Sequence, residues 1–123
     1  YLDKKEIIKE YFKSRYDQGD PQVVAAVRRL AELAARGRDA LLAGQPDALF
    51  DLMNENFDVR RTIMDIRPPD LEMIEAARAC GAAAKFAGSG GSIVGTYGGE
   101  EMYGRLKAAL ERLGAVVLKP RIE

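Results

Sequence analysis

The chain of 123 residues has no histidine and no tryptophan, and a single cysteine, Cys80. Without histidine it lacks both the commonest acid–base group of neutral pH and the commonest zinc ligand, so no transition-metal site is expected. One cysteine allows no internal disulfide, which fits a reducing compartment, and a cytoplasmic location is expected. Cys80 precedes Gly81 at an expected helix end. With no histidine to activate it, it reads as a small buried hydrophobe and not as a nucleophile. Charge of one sign is not in excess: Lys and Arg number 19, Asp and Glu 19. That balance excludes a broad basic field, and no nucleic-acid partner is expected. No apolar run approaches the roughly 18–20 residues of a membrane span, so no membrane partner is expected. The chain opens on Tyr1 without a methionine or a secretory pattern, which suggests a fragment or a processed chain.

Apolar residues make up 47% of the chain, enough for a folded core, and the length fits one domain with a modest core. A first helix is expected from Asp3 to Tyr16, with Asp3 and Glu6 spaced as a capping box. Gly19-Asp20-Pro21 ends it and starts a second, because aspartate caps well and proline suits the first helical position. This second helix should run from Pro21 to Ala43 and bury Val23, Val27, Leu30, Ala34 and Leu41. A third spans Pro46 to Met64, with Leu49, Phe50, Met53, Phe57 and Met64 on one side. Arg67-Pro68-Pro69-Asp70 stops that helix, and a fourth follows from Pro69 to Cys80. Leu71, Ile74 and Ala77 should face inward on it. Strands are expected at Ala82–Ala87 and Ser92–Tyr97, a fifth helix at Glu100–Leu113, and a last strand at Ala115–Lys119. On that last helix Met102, Leu106, Ala109, Leu110 and Leu113 face inward. The order predicts an α+β fold, with a helical region leading into a small sheet backed by helices.

Between the first two strands lies Gly88-Ser89-Gly90-Gly91. Glycines let backbone N–H groups approach a ligand, and successive N–H groups can cradle phosphate. The same residues also suit a plain hairpin turn. Neither the dinucleotide pattern nor a Gly-x-x-x-x-Gly-Lys-Ser/Thr loop is present, and the turn leads into a strand rather than a helix. Lys85, three residues before the turn, is either part of that site or an ordinary solvent-facing lysine. On the third helix Arg60 falls within the apolar arc, with Arg61 at its edge. A guanidinium there needs an internal partner, an outward path or an anionic ligand, which arginine clamps well. Asn56, one turn earlier, could share such a task.

The run Ala83-Ala84-Lys85-Phe86-Ala87-Gly88-Ser89-Gly90-Gly91-Ser92-Ile93-Val94 resembles the third, glycine-rich motif of the GHMP kinase superfamily. Leu52-Met53-Asn54-Glu55-Asn56-Phe57-Asp58-Val59-Arg60-Arg61 and Leu71-Glu72-Met73-Ile74-Glu75-Ala76-Ala77-Arg78 look like the glucuronokinase-like sugar kinases, and Gly19-Asp20-Pro21 before a long helix fits them. The resemblance implies that residues 1–123 form the C-terminal domain of such a kinase, with a ferredoxin-like α+β sheet. It implies transfer of phosphate from ATP, with Mg2+, to a hydroxyl of a small sugar or sugar acid. Gly88, Ser89, Gly90 and Gly91 would then line the ATP phosphates. Asn56, Arg60, Arg61 and Lys85 are the candidate substrate-binding residues, and no catalytic residue is assigned.

The superfamily's Pro-x-x-x-Gly-Leu-Ser-Ser-Ser-like ATP loop and its usual catalytic aspartate belong to an N-terminal half, and neither occurs in this chain. Half of a phosphate clamp is insufficient for a reaction that depends on positioning and charge stabilisation, so the chain alone is expected to be inactive. The expected partners are a sugar and an N-terminal kinase half, in cis or in trans. The alternative is a stand-alone ligand-binding or regulatory domain that kept the fold without the chemistry.

Overall fold

The computed structural model describes residues 13–87 and 91–120, which fall into two compact units, Tyr1–Asp65 and Ile66–Glu123. The expected first helix, Asp3 to Tyr16, lies mostly outside the described residues; its described part, 13–16, is helical, and the helix runs on to residue 17.

In the first unit, Asp20 caps α1 (Pro21–Leu42) by accepting hydrogen bonds from the N–H groups of Gln22 at 3.0 Å and Val23 at 3.4 Å. The Arg15 guanidinium, 3.0 Å from the Asp20 carboxylate, is the largest cause of that carboxyl's lowered pKa. A 3-10 turn, Pro46–Ala48, leads into α2 (Leu49–Arg61). The two helices run antiparallel. Gln22 at the start of α1 donates to the carbonyl of Thr62 just past α2, while a Cβ added to Gly37 near the other end would lie 3.5 Å from Leu49. Midway, the Arg29 guanidinium holds Glu32 on its own helix and Glu55 on α2. Phe57 is fully buried.

The buried line of α1 is Val23, Ala26, Leu33 and Ala40. The expected face is therefore corrected by about one position: Val23 is buried and Leu30 half-buried, but Val27, Ala34 and Leu41 are exposed. Small alanines line the buried face, and an alanine-rich helix offers several nearly equivalent stripes. Helix α2 stops three residues short of Met64, because Thr62 turns back, its hydroxyl donating to the Val59 carbonyl at 2.6 Å.

The second unit contains α3 (Pro68–Ala79), β1 (Ala83–Phe86), β2 (Ile93–Thr96) and α4 (Glu100–Arg112). Gly81, at φ 89°, ends the run of α3, and the Ala82 N–H reaches back to the Ala77 carbonyl. On α3, Asp70, Ile74 and Ala77 are buried, with Leu71 half-buried. Cys80, the C-cap residue, is half-buried.

Strands β1 and β2 pair antiparallel, Ala83 opposite Thr96 and Phe86 opposite Ile93. Ala82, Ala83, Ala84 and Phe86 are all at most 2% exposed, so β1 is buried on both faces and β2 is the outer strand. Helix α4 buries Leu110 and half-buries Met102, Leu106 and Ala109, while Leu113 is exposed. The fold is α+β.

The expected strand at Ala115–Lys119 is not formed: the sheet of the described residues has two strands. The segment is anchored instead by the Ala115 N–H on the Leu110 carbonyl and by Lys119 Nζ, 2.9 Å from Glu100 and 4.4 Å from the ring centroid of Tyr103. Between these anchors Val116 and Leu118 point to solvent, 85% and 80% exposed. The short apolar run of a strand is present, but no strand edge among the described residues meets it. No helix among the described residues is long and apolar enough to cross a membrane.

Candidate functional site: the glycine turn and the start of α3

The hairpin places the glycine turn between two paired positions. Beyond Phe86 and Ile93, the Ala87 N–H donates to the Ser92 carbonyl at 3.0 Å and narrows the loop to its four central residues. Gly88, Ser89 and Gly90 lie outside the described residues; Gly91 is described, at φ +81°. A residue with a side chain adopts that conformation only with strain.

Gly91 is held from α3. Its N–H donates to Asp70 Oδ1 at 3.2 Å. Asp70 is the only buried charged residue of the described chain, 3% exposed. Arg67 completes the arrangement, with Nε 3.0 Å from Oδ2 and Nη2 3.2 Å from Oδ1. One buried carboxylate thus takes a bidentate guanidinium and a turn N–H. Such pairing offsets a desolvation cost that an isolated carboxylate could not bear. Asp70 also sits in the first turn of α3, where the helix dipole favours negative charge. The Arg67 side chain stays 65% exposed, and its Nη2 lies 3.9 Å from where a Gly91 Cβ would be. A cation therefore stands beside the exit of the glycine turn.

The start of α3 offers no bare N–H groups to an anion. Pro68 and Pro69 have none, and those of Asp70 and Leu71 both go to the Arg67 carbonyl. Attraction of an anion here falls to Arg67 and to the turn. Asp70 does not suit a magnesium ion, since Arg67 and Gly91 engage both of its oxygens. Among the described residues no group of three or more His, Cys, Asp or Glu side chains could hold a metal. The described residues do not fit a magnesium site.

The other candidates divide between the units. Lys85 stands on β1 opposite Val94 and is half-buried. Asn56, Arg60 and Arg61 belong to α2 in the first unit, with Arg60 half-buried and Arg61 exposed. Both arginines occupy the last turn of α2, where cations complement the helix dipole. The Asn56 Oδ1 atom is buried without a hydrogen-bond donor among the described residues. Glu55, its neighbour, is occupied by Arg29, which holds the Glu55 carboxyl below its ordinary pKa of 4.5.

Sequence reasoning missed Arg67 and Asp70. The signal was present, an acidic residue three places after an arginine across a Pro-Pro helix start, but it reads first as a helix boundary.

Comparison with known proteins finds two curated relatives, both from Arabidopsis thaliana. The chain is 42% identical over 85 residues to "Probable glucuronokinase 2" and 40% identical over 85 residues to "Glucuronokinase 1". Each match takes in 67% of this chain, but only 23% and 24% of the respective relatives. The chain thus spans about a quarter of the length of the curated relatives it matches. No family model matches it, and no solved structure matches it significantly. The chain is a relative of the glucuronokinases, in keeping with the GHMP kinase resemblance carried by its glycine turn and its helical segments.

Proposed function

We propose that residues 1–123 are the C-terminal domain of a glucuronokinase-like sugar kinase of the cytoplasm. The complete enzyme transfers the γ-phosphoryl group of ATP, with Mg2+, to a hydroxyl of a sugar or sugar acid. The observation that carries this reading is the 42% identity to a glucuronokinase over two thirds of the chain. In this reading the turn Gly88-Ser89-Gly90-Gly91 lines the ATP phosphates, and Arg67 adds positive charge beside it. Asn56, Arg60 and Arg61 are the candidate sugar contacts in the first unit, with Arg60 or Arg61 facing the carboxylate of a sugar acid, and Lys85 is a separate substrate-binding candidate in the second unit. Asn56 supports a polar ligand, since its buried Oδ1 lacks a donor among the described residues.

The chain lacks the ATP loop expected of an N-terminal half, so it is inactive alone and works with that half in cis or in trans. Its own residues bind and orient; the hydroxyl's proton is taken by a base outside this chain.

The reading is tested in the completed enzyme by Gly90→Val. Turnover should fall sharply while the fold is retained, because a side chain there blocks backbone approach to phosphate. Equal loss of folding and activity would show the turn to be only structural. Arg60→Met should weaken a sugar acid more than a neutral sugar, and equal effects on both would remove Arg60 from the sugar site.

A further inference from the structure

Asp70 is buried, charged and unused by the reading above. A carboxylate at 3% exposure is an expensive way to start a helix, since an exposed serine or aspartate caps one without desolvation. Its bonds point away from helix capping. Among the described residues none of its hydrogen-bond partners is an N–H of α3; both oxygens are turned toward Arg67, and Oδ1 also takes the Gly91 N–H across 21 residues of sequence. The group joins the exit of the glycine turn to a guanidinium that is 65% exposed.

We propose that Asp70 is a positioning residue for phosphate recognition: its carboxylate fixes the Gly91 peptide and the Arg67 guanidinium as one unit, with Arg67 as the side chain that contacts the anion. The ligand chemistry is a polyphosphate, as carried by a nucleoside triphosphate. The fork of Arg67 is oriented through Nε and Nη2, leaving the Nη1 side of an exposed group to face the ligand. The phosphate part of this proposal rests on the proposed function; the latch itself does not.

The test uses the full chain, with inorganic tripolyphosphate as probe, and compares wild type with Asp70→Ala, Asp70→Asn and Arg67→Met. Amide exchange measured by NMR reads the latch. In Asp70→Ala the Gly91 N–H should exchange about tenfold faster or more, with the α4 amides unchanged. Asp70→Asn keeps one oxygen acceptor and should retain part of the protection. An unchanged Gly91 rate in Asp70→Ala overturns the latch. Should Asp70→Ala fail to fold, as judged by its α4 amides, Asp70→Asn and Arg67→Met decide: Gly91 exchange at the wild-type rate in both overturns it.

Calorimetry reads the ligand. Arg67→Met and Asp70→Ala should each weaken tripolyphosphate about tenfold. The double variant should be little weaker than Arg67→Met alone, because Asp70 acts through Arg67. Full additivity, or undiminished binding by Arg67→Met, overturns the role in recognition. A wild-type chain that binds no tripolyphosphate counts against the proposed function and against Arg67 as an anion contact, while Gly91 exchange still decides the latch.

Discussion

Among the described glycines, Gly95 is the one least able to accept a side chain. It pairs with Ala84 across the hairpin, and a Cβ built on it would lie 2.0 Å from the Ala83 carbonyl oxygen and 3.2 Å from the carbonyl carbon. Ordinary contact begins beyond 3 Å, so Gly95→Ala requires a backbone movement of about 1 Å or more. Strand β1 cannot supply it, because Ala82, Ala83, Ala84 and Phe86 are buried and close-packed. Strand β2 must retreat instead, and it gives up ladder hydrogen bonds on the way. Overpacking costs about 1–3 kcal/mol and each lost bond about 1 kcal/mol, which together give about 2–5 kcal/mol. That is a large part of the roughly 5–15 kcal/mol by which domains are stable. In urea the midpoint of the second unit's transition should fall by about 1–2 M, followed by circular dichroism. Gly104→Ala is the matched control. It lies inside α4 with nothing within 4 Å of its added Cβ, and should stabilise by up to about 1 kcal/mol through helix propensity. Equal midpoints for wild type and Gly95→Ala would refute the reasoning, since the two strands would then not be packed at this register.

Three further outcomes are expected. Phe57→Ala, at a site with no exposure, should lower unfolding free energy by about 3–5 kcal/mol in denaturant titrations. The carboxyls of Asp20 and Glu55 are held below their ordinary values of 3.8 and 4.5, chiefly by hydrogen bonds from Arg15 and Arg29. A lowered folded pKa means that the unfolded chain binds more protons in that range. The stabilisation is therefore complete above the ordinary carboxyl values and is lost as pH falls through the folded ones. Glu55→Gln should lower the urea midpoint at neutral pH and flatten its fall below about pH 4.5, and an unaltered pH profile would exclude the Arg29–Glu55 pair as a contributor.

Much of the fold is legible where one residue type has one physical use. Asp20-Pro21 starts a helix, Gly81 ends one, and the glycine cluster turns a hairpin, each as expected from its own chemistry. Legibility fails where partners decide. The segment Ala115–Lys119 carries a strand's short apolar run, but a strand needs an edge, and Lys119 is taken by Glu100 and the ring of Tyr103 instead. The buried stripe of α1 runs through Ala26 and Ala40 because Leu33 and Val23 set the rotation, and alanines give no signal of their own. Asp70 was hidden for a related reason. Its role depends on Gly91, 21 residues away, and no local pattern connects a helix start to a distant turn. The glycine turn is a further case: its local chemistry allows a plain hairpin or a phosphate cradle, and nothing local decides between them.

The central claim is that this chain supplies one part of a sugar kinase. It is tested most directly by ADP release in a coupled assay with ATP, Mg2+ and glucuronate. The chain is measured alone, beside a glucuronokinase N-terminal portion, and joined to it. ADP release well above background from the joined or mixed proteins, and none from either part alone, is the predicted result. A joined protein that folds yet releases no ADP with glucuronate or any of a panel of sugars would contradict the account.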